Sequence, residues 1–230
     1  LRRQRQMCIR DRGIGGILAE GTFRAMRKLS ELKKADLRKY AVCSKGIGLG
    51  AHGVRSRKDY PSIIGYAVST QGGDHTSIPS PHPQFSESWF TFYDSAVICA
   101  FNSYFFGDKA LIDFLNSVTG WDVTVDEWTN EILKRILDIQ RILLLLGGPD
   151  VTWNPLKDDD LPPRFYEPLP SGPFKGAKVT KEEVEKEKKE YYRLMGWDEN
   201  GVPRKEELER LGIKELSSAV DKIKRKFNLS

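Results

Sequence analysis

Two hundred and thirty residues, 39% hydrophobic and 30% charged with 20 Gly and 12 Pro, describe a chain that buries a core in one or two domains and exclude a disordered or collagen-like one. The longest apolar run, Ile142 to Leu146, is far below the ~18 residues a membrane-spanning helix needs, so no membrane association is expected. Of the net charge of +5, the opening LRRQRQMCIRDR supplies +4, which leaves the remainder close to neutral and argues against a nucleic-acid partner.

Residues 1–12 lack the apolar stretch of a signal peptide, and MCIRDR resembles a translated sequencing-adapter scar. The segment is read as extraneous, Cys8 with it. Next, Ile14, Leu18, Gly21, Ala25 and Leu29 recur at helical spacing and predict one helix over 14–30, with Gly21 admitting a close neighbour. From Tyr40 to Pro83 clustered Gly and Pro break every period, so this reads as a functional loop with one helical piece over 61–70. Helix resumes from Tyr93 through Ala96, Cys99, Ala100 and Ser103. It restarts at an Asp108 cap with Leu111, Ile112, Leu115 and Val118 inward and Gly120 as stop.

Thr124 and Glu127 form a capping box stapled by Val123 and Trp128. The helix they launch places Trp128, Ile132, Ile136, Ile139, Leu143 and Leu146 on one broad face and ends at Gly147-Gly148-Pro149. Seven of the twelve prolines fall within 149–178, which predicts extended, irregular chain. A second capping box, Thr180 with Glu183 and the staple Val179–Val184, opens a helix that buries Val184, Tyr191, Tyr192 and Met195. Helices over 205–211 and 215–227 complete the chain. No segment alternates convincingly as a strand, so the fold class is all-α, irregular helices joined by long Gly- and Pro-rich loops.

Few residues can carry chemistry. Three cysteines are too few and too scattered for a disulfide framework, which points to a reducing, cytoplasmic setting. Cys43, His52, His75, His82 and Cys99 lack the spacing of a zinc site. KGIGLG contains G-x-G-x-G but has neither the preceding strand nor the following helix of a nucleotide loop. His75, in QGGDHTS, reads either as a proton donor or acceptor at a cofactor or as a loop histidine satisfied by its neighbours. Cys99, in YDSAVIC, reads by itself more readily as buried packing than as a ligand.

Seven blocks in order, GIGGILAEGTFRAM, YAVCSKGI, GYAVSTQGGDH, YDSAVIC, TGWDVTVDEW, DDDLPPRFYEPLPSGPFKG and EYYRLMGWDENGVPRKEELERLGI, resemble the C-terminal part of the tungsten-dependent aldehyde:ferredoxin oxidoreductase family. The resemblance covers about residues 13–212. It implies a tungsten (or molybdenum) bis-pterin cofactor, a [4Fe-4S] cluster, ferredoxin as partner and oxidation of an aldehyde to a carboxylic acid. By position, YDSAVIC matches the family's D-x-x-G-L-C pattern. Asp94 would then bind the pterin, Ile98 would offer it backbone groups and Cys99 would ligate the cluster, with Val97 where the family has Gly. His75 falls at the active-site histidine near the metal, and Asp74 is placed with the cofactor-binding residues.

A cubane cluster needs four ligands, so the chain is read as a C-terminal fragment lacking the N-terminal portion of its own protein. Its expected division is 1–12 extraneous, 13–148 a partial helical cofactor-binding domain, and 149–230 a Pro-rich crossover with a C-terminal helical segment. An aromatic acyl-CoA thioester reductase subunit of the same family and a non-catalytic helical interaction module are the alternatives.

Overall fold

The structure is a computed structural model that describes residues 13–50, 53–56, 62–75, 87–103, 106–147 and 154–229. His52, His82, Cys8 and the Gly148-Pro149 stop lie outside the described residues. The class is all-α as expected: among the described residues the only strands are Cys43–Ser44 and Ile47–Gly48, a two-residue antiparallel pair. No described helix is long and apolar enough to cross a membrane.

The chain forms two compact units, each assembled from two stretches: Leu1–His75 with Lys157–Glu187, and Thr76–Leu156 with Lys188–Ser230. In the first, the helix expected over 14–30 is two helices, Ile14–Leu18 and Thr22–Lys33. Gly21 makes the break at φ 87, and nothing lies near the place a Cβ would occupy, so it serves a backbone turn and not a close neighbour. The residues from 62 to 70 form turns, not the expected helix, with one helical bond from the Val68 N–H to the Ile64 carbonyl. Ile63, Ile64, Tyr66, Ala67 and Val68 are nonetheless all buried, as are Leu161 and Phe165 from the Pro-rich stretch. The Thr180–Glu183 capping box forms in both directions, and Val179 and Val184 are fully buried beside it.

In the second unit, helices Glu87–Ser95, Ala100–Ser103 and Asp108–Thr119 precede a long helical run. Gly107 takes the cap position, with Asp108 the first helical residue, and Gly120 ends that helix in the left-handed conformation. Leu111 and Ile112 are buried, whereas Val118 is exposed, contrary to expectation. The long run starts at the Thr124–Glu127 box, continues as a π-helical turn over Trp128–Ile132, and ends as the α-helix Leu133–Leu146. The π turn inserts one residue into the helical period and so shifts the inward face beyond it. Leu133, Leu137, Ile142 and Leu145 are buried, and Ile132, Ile136 and Leu146 of the expected stripe pack against the cores, while Ile139 and Leu143 face out.

Two apolar clusters hold this unit. Phe92, Tyr93, Leu111, Ile112 and Trp128 form one, with Phe92 and Trp128 edge-to-face at 4.9 Å. Ile142, Leu145, Val202, Leu208, Leu211, Ile213, Val220 and Ile223 form the other, built from the end of the long run and the helices Lys205–Arg210 and Ser217–Phe227. Beside the second cluster lies a buried polar network. The Trp197 indole N–H donates to Asp138 Oδ1 at 2.6 Å, and Arg141 donates to the Gly201 carbonyl at 2.8 Å with its guanidinium 4.9 Å over the Trp197 ring. Burial pushes the Asp138 carboxyl up to about 7, opposed by the indole hydrogen bond, and its Oδ2 makes no hydrogen bond.

Candidate functional site

The expected site residues fall into two groups, one in each unit. Asp94, Ile98 and Cys99 sit together where helix Glu87–Ser95 ends and Ala100–Ser103 begins. The helix end is a Schellman turn: the Ile98 N–H donates to the Tyr93 carbonyl at 2.8 Å and the Val97 N–H to the Asp94 carbonyl at 3.4 Å. That motif requires a left-handed residue after the helix, and Val97 takes it at φ 57. Glycine suits this position for the backbone it must adopt, which supplies a local reason for a Gly in the D-x-x-G-L-C pattern.

The same turn sets what each residue can offer. Asp94 and Cys99 are exposed, and the Ile98 side chain is 37% exposed. Because the Ile98 N–H is spent on the helix cap, its carbonyl is the backbone group left to a ligand. A carboxylate and a thiol are thus exposed on one short turn, groups suited to pterin hydrogen bonding and to one corner of an iron–sulfur cluster. Val97, Phe101, Phe106, Phe114 and Trp121 are exposed apolar side chains of the same unit. Among the described residues no group of three or more His, Cys, Asp or Glu could hold a metal ion.

The second group is Asp74 and His75. Gly72, at φ 66, and Gly73 bring the chain against the Cys43–Gly48 hairpin: a Cβ on Gly73 would lie 2.4 Å from the Ile47 carbonyl oxygen. Asp74 and His75 follow immediately, with His75 Nδ1 3.7 Å from Asp74 Oδ1 and both side chains about half exposed. Buried Tyr66 has its phenol pushed up to about 12, first by burial and then by the charge of Asp74. The other described cysteine, Cys43, is half-buried in this unit, and burial raises its thiol.

Sequence reasoning missed the groups that support these turns. Lys45 and Asp159 form a fully buried ion pair at 3.0 Å, although each sits in a polar stretch that reads as solvated surface. The signal available for Lys45 was the glycine-rich SKGIG turn around it; Asp159, one of three consecutive aspartates, had none.

Comparison with known proteins agrees with this architecture. The family model for aldehyde ferredoxin oxidoreductase, domains 2 and 3, matches residues 3–213. The chain therefore belongs to the aldehyde ferredoxin oxidoreductase family, whose members are oxidoreductases. It is 53% identical over 225 residues to the aliphatic sulfonate oxidoreductase, WOR-like subunit, of Pyrococcus furiosus, a match covering 97% of this chain and 36% of the relative. It is 34% identical over 220 residues to the tungsten-containing aldehyde ferredoxin oxidoreductase of Pyrococcus horikoshii (89% of this chain, 35% of the relative). The corresponding protein of Thermococcus kodakarensis is 32% identical over 219 residues, a match covering 88% of this chain and 35% of that protein. The chain thus spans about a third of the length of these relatives.

Proposed function

We propose that this chain is the C-terminal part of a tungsten-pterin (or molybdenum-pterin), iron–sulfur oxidoreductase that oxidises an aldehyde to a carboxylic acid with ferredoxin as electron acceptor. The observation that carries the reading is the Asp94–Cys99 turn, which exposes a carboxylate and a thiol at one helix end. When bound, the metal–pterin group supplies the two-electron chemistry and the cluster a route for the electrons. Asp94 accepts hydrogen bonds from the pterin ring, with the Ile98 carbonyl as a second acceptor. Cys99, as thiolate, holds one corner of the cluster, and the other three ligands come from outside this chain. The conversion of aldehyde and water to acid releases two protons with two electrons. His75, with its Nδ1 3.7 Å from Asp74 Oδ1, is the group that takes up or returns one of those protons.

A second reading is favoured by the 53% identity to an aliphatic sulfonate oxidoreductase subunit: the same machinery acting on an aliphatic sulfonate, in association with another subunit. Purified full-length protein assayed for ferredoxin reduction with aldehydes and with aliphatic sulfonates separates the two. Aldehyde turnover supports the first reading, and turnover of sulfonates alone replaces it with the second. A holoprotein with neither tungsten, molybdenum nor pterin refutes both, and retention of the cluster signal in Cys99→Ser refutes the ligand role of Cys99.

A further inference from the structure

We infer that Lys45 is a positioning residue, whose buried ion pair with Asp159 fixes the hairpin against which the Asp74–His75 turn is set. This rests on the reading of His75 as the group that handles a proton. Lys45 combines two features that cost stability locally: its ammonium is buried, and its backbone is left-handed at φ 48. A residue needed only to fill space would be better served by an apolar side chain. What Lys45 gains is direction. Its Nζ reaches Asp159 Oδ1 at 3.0 Å and also donates to the Ala67 carbonyl, while the neighbouring Ser44 hydroxyl donates to the Tyr66 carbonyl at 2.9 Å.

Those two bonds tie residues 66 and 67 to the hairpin. Five residues later the chain meets the same hairpin again, where a Cβ on Gly72 would lie 2.9 Å from the Ser44 carbonyl oxygen and one on Gly73 2.4 Å from that of Ile47. Residues 66–73 are thereby fastened at both ends, and Asp74 and His75 leave directly from the second fastening. Asp159, from a segment more than a hundred residues further along the sequence, anchors Lys45 from the other side. Three blocks distant in sequence, SKGIG, GYAVSTQGGDH and DDDLPP, thus meet at one ammonium.

The test uses the full-length, metal-loaded protein with Lys45→Met and Asp159→Leu combined, so that no unpaired charge stays buried. Hydrogen exchange followed by mass spectrometry is expected to quicken about tenfold in peptides covering 72–75, with peptides over 205–227 unchanged. Displacing the His75 turn is expected to lower kcat by up to about 100-fold, shift its pH profile and leave KM nearly unaltered. Lys45→Arg, which keeps a buried donor, restores most of kcat. Gly73→Ala leaves the ion pair intact but pushes the same turn away, and reproduces the kinetic signature. Unchanged exchange at 72–75 in the double variant overturns the positioning role whatever the kinetics. Faster exchange together with a kinetically silent His75→Asn variant upholds it and overturns instead the proton-transfer reading of His75.

Discussion

Replacing Val97 by Gly is expected to make the protein more stable. A left-handed L-residue costs roughly 1–2 kcal/mol because its Cβ crowds the backbone, and Val97 holds that conformation at φ 57. Glycine relieves the crowding but gives back about 0.5–1 kcal/mol through the greater freedom of its unfolded chain. Burial does not enter, because the Val97 side chain is 92% exposed and has almost no packing to lose. The net expectation for Val97→Gly is a gain of about 0.5–1 kcal/mol, which for a protein of this size raises Tm by about 1–4 °C. Denaturant unfolding followed by tryptophan fluorescence reads the right unit, since Trp128 packs edge-to-face on Phe92 of the helix that Val97 terminates. Two compact units make a single global transition an unsafe assumption, so the local midpoint is the quantity to compare. Val97→Asn, which tolerates left-handed backbone, should gain part of the same amount. Loss of about 0.5–1 kcal/mol in Val97→Gly, the usual penalty of a glycine in ordinary backbone, would refute the argument.

Three further outcomes follow from buried or capping groups. Asp138 is protonated more readily in the folded chain, at about 7, than in the unfolded chain near 3.8. The stability it contributes is complete below about pH 4 and is lost towards pH 7, at about 1.4 kcal/mol per pH unit. Asp138→Asn should flatten that part of the pH–stability profile, and an unchanged slope would contradict the burial argument. Gly201→Ala should destabilise by roughly 1–3 kcal/mol in denaturant titration, because its φ is 73 and a Cβ there would lie 2.6 Å from both Arg141 Nη2 and the Tyr192 ring. Thr180→Ala should cost about 1 kcal/mol by the same assay through loss of the hydroxyl that accepts from the Glu183 N–H.

The parts of the fold that followed from the sequence are those governed by neighbouring residues. Both capping boxes depend on two side chains three positions apart, and both form. Tyr191, Tyr192 and Met195 are buried as spacing alone required, because nothing interrupts the helix that carries them. The stripe on the long helix held at Trp128, Ile132, Ile136 and Leu146 but not at Ile139 and Leu143, because the π turn at Trp128–Ile132 departs from the 3.6-residue period the stripe assumes. Gly21 failed differently, since helical periodicity continues across a residue whose backbone breaks the helix. In the candidate site, spacing and composition left Cys99 and His75 ambiguous, and the family resemblance singled them out. Lys45, Asp159, Asp138 and Arg141 could not be read as interior at all, because their burial depends on partners 22 or more residues away.

Where local preferences are broken also separates a site from its scaffold. From Val179 to Leu229 nearly every choice serves the fold: a capping box, an apolar face, a glycine at each left-handed turn except Asn228, which tolerates one. The eight residues from Asp94 to Phe101 run the other way. An acidic side chain stands in the last turn of a helix, where the dipole disfavours it; a β-branched residue takes the left-handed position; and a thiol, an isoleucine and a phenylalanine face outward. None of these follows the local preference of the helix end or turn that carries it. Sequences tend to accept such departures where a residue serves something other than its own fold. Their concentration beside Cys99 is an energetic argument, independent of the resemblance, in favour of the role proposed for this helix end.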